Sequence, residues 1–188
     1  MSIIVFVGAS GTGKSTAADA LCKRYGARYV VSYTTRSQRP DEPSNGAMVY
    51  EVTKSELRAW QDAGEMAWVD EYAGNLYGTK KSDLGQACVT SLLWLMILVP
   101  PVLLRLDAVV KEYGGRAVYL FFDPPPDDVL AERMKIRNLS PGEHTARMAK
   151  VAWYKEESAK TGLPFIHIKN EGTIDELIVK IQATVIRE

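Results

Sequence analysis

A chain of 188 residues is long enough to bury one sizeable hydrophobic core, with room for small attached lobes. Its 23 basic and 23 acidic residues cancel, so it lacks the basic excess typical of proteins that bind nucleic acid, and we expect no such partner. Two cysteines, Cys22 and Cys88, indicate neither a disulfide framework nor a zinc site, which favours a reducing compartment such as the cytoplasm.

A short apolar stretch opens the chain and leads into a glycine-rich loop. Residues 2–7 (SIIVFV) predict a buried strand, and residues 14–25 predict a helix that Gly26 ends. Between them, residues 8–15 match G-x-x-x-x-G-K-[ST] at every fixed position. Glycines there let successive N–H groups, and the helix N-terminus, point at phosphate oxygens. Because strand and helix flank the motif as it requires, we interpret it as a phosphate-binding loop (P-loop).

The P-loop defines the expected donor side of a phosphotransferase, with ATP as co-substrate. Lys14 would bridge the β- and γ-phosphates as a point charge, and the Ser15 hydroxyl would ligate Mg²⁺. The residues expected around the ATP phosphates are Gly8, Ala9, Ser10, Gly11, Thr12, Gly13, Lys14, Ser15 and Thr16.

The next part of the chain has the composition of a lobe inserted into a larger fold. Residues 28–33 (RYVVSY) predict a second strand, and the polar, proline-containing residues 36–48 predict a surface loop. A capping box at residues 53–56 opens a short helix. Residues 65–79 alternate aromatic residues with Ala, Gly and Asn, which suggests a hairpin or a bent pair of strands.

An uncharged stretch, residues 87–104 (ACVTSLLWLMILVPPVLL), is nearly long enough to span a bilayer. Pro100 and Pro101 would break a helix inside it, and a buried parallel strand also reads as a continuous apolar run. We therefore expect a buried strand, most evident at residues 92–99, and no membrane segment.

Strands alternate with helices through the rest of the chain, which predicts an α/β fold with a mostly parallel sheet covered on both faces. The expected elements are a helix within residues 102–113, a buried strand at 117–122, helices at 127–136 and 140–160, a strand at 165–168 and a last helix from 174.

Two further stretches carry a family resemblance. Residues 32–40 (SYTTRSQRP), with Gly46 and Tyr50 after them, resemble the monophosphate-binding region of guanylate kinases, S-x-T-T-R-x-x-R-x followed by G-x-x-Y. Residues 74–79 (GNLYGT) look like the G-N-x-Y-G-[ST] element of the same family. Two arginines three apart on a loop can also grip one phosphate from two sides with their planar donor forks. With the P-loop in register, the resemblance covers nearly the whole chain.

The resemblance implies a P-loop nucleoside monophosphate kinase that transfers the γ-phosphate of ATP to GMP, dGMP or a related monophosphate, with Mg²⁺ and small-molecule nucleotides as its partners. It implies one domain over residues 1–188, divided into a core (1–32 and 83–188), an NMP-binding lobe (about 33–82) and a lid (about 134–150).

The same resemblance implies roles for particular side chains. Ser32, Arg36, Arg39, Tyr50 and Tyr77 would hold the acceptor phosphate, and Thr79 would face the base. Arg133, Arg137 and Arg147 would be lid arginines that close over the triphosphate. Together with Lys14 and Arg36, they would form the catalytic set, because phosphoryl transfer needs cations around the moving group. The structural alternatives are core packing for the tyrosines and solvated surface positions for the arginines.

The chain departs from the family pattern at two places. Trp68 stands where the family places a glutamate against the guanine ring, although Asp70 or Glu71 could substitute if the strand is shifted by a bulge. Residues 97–100 (ILVP) contain no acid where the family has L-D-x-D, and Asp123 is a conceivable stand-in.

These departures leave two alternatives open. One is a sugar-phosphate kinase of the same fold, resembling ribose 1,5-bisphosphate phosphokinases, for which missing base-reading acids would be suitable. The other is a non-catalytic guanylate-kinase-like binding module. Such modules typically lose the P-loop lysine, whereas this chain keeps Lys14.

Overall fold

The computed structural model describes residues 2–37, 49–72, 74–135 and 141–185. These residues form nine strands and seven helices, and a 3₁₀ turn at Pro100–Val102 precedes the fourth helix. In chain order the elements are β1 (Ser2–Val7), α1 (Lys14–Tyr25), β2 (Arg28–Tyr29), β3 (Ser32–Thr34), β4 (Val49–Glu51), α2 (Lys54–Asp62), β5 (Met66–Tyr72), β6 (Asn75–Lys80), α3 (Lys81–Val89), β7 (Trp94–Ile97), α4 (Leu103–Glu112), β8 (Arg116–Asp123), α5 (Asp127–Lys135), α6 (Pro141–Lys160), β9 (Phe165–Lys169) and α7 (Ile174–Val185).

The strands form two sheets. The first has the order β2-β7-β1-β8-β9, in which β2 runs parallel to β7 and β8 runs parallel to β9. The second has the order β4-β3-β6-β5, and β6 runs antiparallel to both of its neighbours. The protein is therefore a mixed α/β fold with a mostly parallel central sheet flanked by helices, which confirms the predicted fold class.

The chain divides into two compact units. The first contains residues 1–3, 27–96 and 102–117, and the second contains residues 4–26, 97–101 and 118–188. The whole four-stranded sheet belongs to the first unit, whereas the P-loop, β9 and α5 to α7 belong to the second. The boundaries of the core, lobe and lid stay predictions.

The core of the second unit is built from β1 and β8. Val5, Phe6 and Phe122 are fully enclosed, and the ring centroids of the two phenylalanines lie 5.1 Å apart. Enclosing each such apolar side chain contributes about 1.5–3 kcal/mol to folding. The inner faces of α1 and α7 complete this core with Ala17, Ala18, Leu21, Leu177, Ile178 and Ile181. The P-loop thus begins at the end of a buried strand.

The uncharged stretch at residues 87–104 contains a buried strand, as predicted. It is β7, and its residues Leu95 and Met96 are 0% and 1% exposed. The two prolines begin the 3₁₀ turn that leads into α4. Within the part of the chain that the structure describes, no helix is long and apolar enough to cross a membrane.

The prediction of one strand at residues 28–33 is wrong, because the chain changes sheets there. The N–H of Val30 still donates to the carbonyl of Leu95 at 3.0 Å, but β3 then pairs with β4 and β6 in the other sheet. Both halves of this stretch contain β-branched and aromatic residues, so composition alone does not mark the change. The helix α3 was not predicted, since no side chain caps its N-terminus.

Candidate nucleotide-binding sites

Glycines shape the P-loop between β1 and α1. Gly8, Gly11 and Gly13 have φ angles of 139°, 83° and 95°, which L side chains rarely adopt. A Cβ on Gly8 would also lie 2.7 Å from the carbonyl oxygen of Phe122. Gly13 is the N-cap of α1 and provides no capping side chain, so the N–H groups of the first turn can donate to an anion.

The ammonium group of Lys14 lies over the same loop. Its Nζ donates to the carbonyl of Ala9 at 2.5 Å and to Oγ1 of Thr12 at 3.3 Å. Thr12 is fully buried, and its hydroxyl donates to the same carbonyl at 2.9 Å. Ser15 and Thr16, the next residues of α1, are exposed. The loop therefore combines N–H donors, a cation and an accessible hydroxyl, which is the donor set that a nucleoside triphosphate requires.

Asn170 contacts this loop, although the sequence analysis did not identify it. Its Nδ2 donates to the carbonyl of Thr12 at 3.0 Å, and its own carbonyl accepts from Nη2 of Arg133 at 3.3 Å. Nη1 of Arg133 is buried and has no hydrogen-bond partner among the described residues. One signal could have found Asn170: it is a polar residue just after a predicted strand, at the carboxyl end where parallel sheets bind ligands.

A cleft of about 140 Å³ adjoins Asn170. It is lined by residues that end or follow β8 and β9, namely Asp123, Pro124, Pro125, Pro126, Lys169, Asn170 and Glu171. Oδ1 of Asp123, the possible stand-in for the missing acids, lies 2.8 Å from Nδ1 of His167. Its place in this cleft does not by itself give it a metal-binding role.

The residues present offer Mg²⁺ a small donor set. Over the described ranges, no group of three His, Cys, Asp or Glu residues could hold a metal ion. Mg²⁺ is commonly bound by one or two protein oxygens together with substrate phosphates and water. The exposed Ser15 hydroxyl fits that pattern as the protein ligand of Mg²⁺.

On the acceptor side, two threonines fasten the end of β3 to β6. Oγ1 of Thr34 donates to the carbonyl of Leu76 at 2.8 Å, and Oγ1 of Thr35 accepts from the N–H of Leu76 at 3.0 Å. Oγ1 of Thr34 also accepts from the backbone N–H of Arg36 at 3.1 Å. The Thr-Thr-Arg sequence therefore places Arg36 beside the strand that carries Tyr77.

The structure describes only some of the arginines that were predicted to bind phosphate. Arg36 is half-buried, and its Nη1 donates to the carbonyl of Ser37 at 2.9 Å. Arg39 and Arg137 lie outside the described residues, and so does the side chain of Arg147 on α6. Their predicted contacts with phosphate stay predictions.

Strand pairing places most of the predicted acceptor residues on one face of the four-stranded sheet. Directly paired residues share a face, and successive residues of a strand alternate between faces. Thr34 pairs with Tyr77, Tyr77 pairs with Asp70, and Thr79 pairs with Trp68. We call this side the Tyr77 face; it carries Ser32, Thr34, Trp68, Asp70, Tyr77 and Thr79.

Tyr50 does not belong to the Tyr77 face. It pairs with Tyr33, whose side chain alternates with those of Ser32 and Thr34 and so lies on the opposite face. Tyr50 is 43% exposed, and its ring centroid lies 6.4 Å from that of Tyr33. The structure therefore brings Ser32, Tyr77 and Thr79 to one face and Tyr50 to the other.

The expected base-reading position is closed by a tryptophan. Trp68 and Thr79 face one another across β5 and β6 and are 5% and 0% exposed. The Thr79 hydroxyl is buried, with no hydrogen-bond partner in the described part of the chain. Of the two nearby acids, Asp70 lies on the Tyr77 face in an ion pair with Arg105, whereas Glu71 lies on the opposite face.

The face opposite the Tyr77 face holds a packed aromatic cluster. The ring of Tyr33 lies 5.1 Å from that of Trp60, and Nζ of Lys80 lies 3.7 Å from the Trp60 ring centroid. The Tyr33 hydroxyl donates to Oδ2 of Asp83 at 3.1 Å. Burial, together with this carboxylate, raises the pKa of Tyr33 to about 12, and burial also raises the pKa of Asp83.

Known proteins resemble this chain along its whole length. The family model described as guanylate kinase matches residues 1–188. The guanylate kinase of Sus scrofa is 32% identical, over 96% of this chain and 96% of its own length. The guanylate kinase of Homo sapiens is 30% identical, over 98% of this chain and 92% of its own length. The crystal structure of guanylate kinase from Anaplasma phagocytophilum matches with a TM-score of 0.66 at 20% identity, over 100% of this chain and 84% of that one, which is a likeness of fold.

Proposed function

This chain belongs to the guanylate kinase family, and we propose that it is an ATP-dependent nucleoside monophosphate kinase acting on GMP or dGMP. An oxygen of the acceptor phosphate forms a bond to the γ-phosphorus, and the bond from that phosphorus to the β–γ bridging oxygen breaks. The products are ADP and a nucleoside diphosphate. The observation that carries the proposal is the ammonium of Lys14 lying against a loop in which Gly8 and Gly13 leave no room for a Cβ.

On the donor side, the loop N–H groups and Lys14 hold the ATP phosphates. Phosphate oxygens replace the Ala9 carbonyl as acceptors of the Lys14 ammonium, and Ser15 offers its hydroxyl to Mg²⁺. Mg²⁺, when bound, would neutralise part of the phosphate charge. We expect the nucleoside part of ATP to bind at the cleft beside Asn170, since this cleft adjoins the loop.

On the acceptor side, Arg36 and Arg39 bind the monophosphate with their planar donor forks. Thr34 holds the backbone of Arg36 next to the Tyr77 face. Ser32 and Tyr77 lie on that face, which supports their role as further hydrogen-bond donors to the phosphate. Arg133, Arg137 and Arg147 stabilise the charge on the phosphoryl group in transfer. These residues supply the cations and hydrogen-bond donors that phosphoryl transfer needs around the moving group.

We also propose that the enzyme works in the cytoplasm. Cys22 and Cys88 are both free thiols, which is the usual state in a reducing compartment.

One observation favours a second candidate function. Because Trp68 is buried at the position expected to read the base, the acceptor could be a sugar bisphosphate, which has no base. The retained Tyr77 and the Thr79 hydroxyl favour a nucleotide, so we rank this candidate second.

A coupled assay of ADP release tests both candidates. The wild-type chain with ATP and Mg²⁺ should turn over GMP or dGMP faster than AMP, CMP, UMP or ribose 1,5-bisphosphate. Turnover of the sugar bisphosphate alone would replace the first proposal with the second, and no turnover of any acceptor would refute both.

Lys14→Ala tests the site assignment. This variant should lose at least about a thousandfold in kcat while its circular dichroism spectrum stays that of the wild type, because the cation at the transferred phosphate is gone. Lys23→Ala removes an exposed lysine from the last turn of the same helix and is the matched control, which should keep full activity. Wild-type turnover in Lys14→Ala would place the site elsewhere.

A further inference from the structure

We propose that Asn170 is a positioning residue whose carboxamide holds the P-loop in its phosphate-binding conformation. The inference rests on the proposed binding of ATP and goes further, because it makes phosphate affinity depend on a residue that is remote from the loop in sequence. It concerns only contacts within the second unit.

The first contact fixes the orientation of a peptide group. Nδ2 of Asn170 donates to the carbonyl oxygen of Thr12 at 3.0 Å. In a trans peptide the C=O and the following N–H point in opposite directions, and the described backbone contains no cis peptide. Holding the Thr12 carbonyl towards Asn170 therefore aims the N–H of Gly13 away from Asn170. That N–H is one of the loop donors available to a phosphate oxygen.

The second contact explains why this position of the loop is a glycine. A Cβ on Gly13 would collide with Nδ2 of Asn170, and the φ angle of 95° is itself unfavourable for other residues. The carboxamide thus occupies the space that a side chain at position 13 would need. Loop and amide fit one another closely, so a change in either should alter the loop conformation.

The third contact connects the same residue to Arg133. Nη2 of Arg133 donates to the backbone carbonyl of Asn170 at 3.3 Å, while its Nη1 is buried and unpartnered among the described residues. A buried N–H of a guanidinium is expected to have an acceptor, and an anionic phosphate oxygen is a suitable one. Asn170 therefore lies between the P-loop and a cation, in contact with both.

Two binding probes separate this role from a direct contact with the nucleoside. Asn170 also lines the cleft, so its side chain could instead touch the base of ATP. A residue that positions the P-loop must affect inorganic tripolyphosphate, which has no base, as strongly as it affects ATP. A residue that only touches the base must affect ATP alone.

The test measures the affinity of the full chain for ATP and for tripolyphosphate by titration calorimetry. Asn170→Ala should weaken both by about tenfold, the usual consequence of losing one hydrogen bond that orders a site. Asn170→Asp keeps the shape but turns an acceptor towards the Thr12 carbonyl and adds negative charge, so it should weaken both further. The KM of the acceptor should not change.

Asp175→Asn is the matched control. It removes a polar bridge within the same unit, the exposed ion pair of Asp175 with Arg24, and touches no residue of the P-loop. Both affinities should stay at the wild-type value. The inference would be overturned if both Asn170 variants kept the wild-type affinity for tripolyphosphate. It would also be overturned if Asp175→Asn weakened the two affinities as the Asn170 variants do. The proposed function would then still stand, since it fails only if the wild-type chain turns over no nucleoside monophosphate.

Discussion

The hydroxyl of Thr34 donates to the carbonyl of Leu76 at 2.8 Å, across 42 positions of sequence. The same oxygen accepts from the N–H of Arg36 at 3.1 Å. One side chain therefore joins the pairing of β3 and β6 to the first of the predicted phosphate-binding arginines. The Thr-Thr-Arg motif therefore has a structural role, because the Thr34 hydroxyl fixes the position of the Arg36 backbone.

Thr34→Val keeps the shape of the side chain and removes the hydroxyl. It removes two hydrogen bonds, the one to the Leu76 carbonyl, which still accepts from the N–H of Thr35 at 3.1 Å, and the one from the N–H of Arg36. Each lost bond costs about 0.5–1.5 kcal/mol. We expect a lower melting temperature and an acceptor KM raised about tenfold, with the KM for ATP unchanged. Thr34→Ser, which keeps the hydroxyl, should behave as the wild type in steady-state kinetics. An unchanged acceptor KM in Thr34→Val would argue against this role.

Two glycines with positive φ allow strain and steric conflict to be measured separately. Gly26, with φ 65°, ends α1 in open space, so Gly26→Ala should cost only the backbone strain, about 1–2 kcal/mol. At Gly8 the added Cβ would also meet the Phe122 carbonyl at 2.7 Å. Gly8→Ala should therefore lower the free energy of unfolding more than Gly26→Ala, as measured by urea denaturation. Equal losses would mean that the P-loop relaxes away from β8.

The strand, loop and helix of the P-loop could be predicted from the sequence because they are contiguous in the chain; the binding of ATP there stays a prediction. A strand, an eight-residue motif that runs into the first turn of a helix, and the helix itself identify the P-loop in the sequence without reference to distant residues. Asn170 could not be placed in the same way, since it reaches the loop only through the pairing of β8 with β9.

The acceptor side depends on strand register, which the sequence does not specify. A shift of one residue in pairing moves every side chain to the other face. Because Tyr50 pairs with Tyr33, it lies on the face opposite Tyr77. Because Thr79 pairs with Trp68, its hydroxyl, which was expected to face the base, is buried. Motif spacing identifies such residues but cannot show which of them share a face.

Tyr33 should make stability depend on pH in the alkaline range. Its pKa is about 12 in the folded chain against 10.0 for an ordinary tyrosine, so the native state binds this proton more tightly than the unfolded chain. The resulting stability is complete below pH 10 and is lost as the pH rises through about 12. In the wild type the free energy of unfolding should fall between pH 10 and about pH 12, and Tyr33→Phe should remove the part of this fall that comes from Tyr33. Denaturation experiments across this pH range measure it. The exposed Tyr25→Phe is the control, and an identical decline in both variants would contradict the prediction.

Asp70 should decide how strongly the acceptor site prefers guanine. Guanine presents N–H donors at N1 and N2, which need a carboxylate, and Asp70 is the nearby acid that shares a face with Tyr77 and Thr79. Arg105 holds it there in an ion pair, which orients the carboxylate.

Asp70→Asn keeps the side chain's size but offers one acceptor oxygen instead of two, so kcat/KM for GMP should fall about tenfold or more while that for AMP changes little. Glu71→Gln makes the same chemical change on the opposite face and should leave both values as they are. Equal losses for GMP and AMP would show that Asp70 only supports the sheet. No loss for either would mean that the acceptor's base is not read at this face, because Trp68 already fills the neighbouring position that the resemblance assigns to a glutamate.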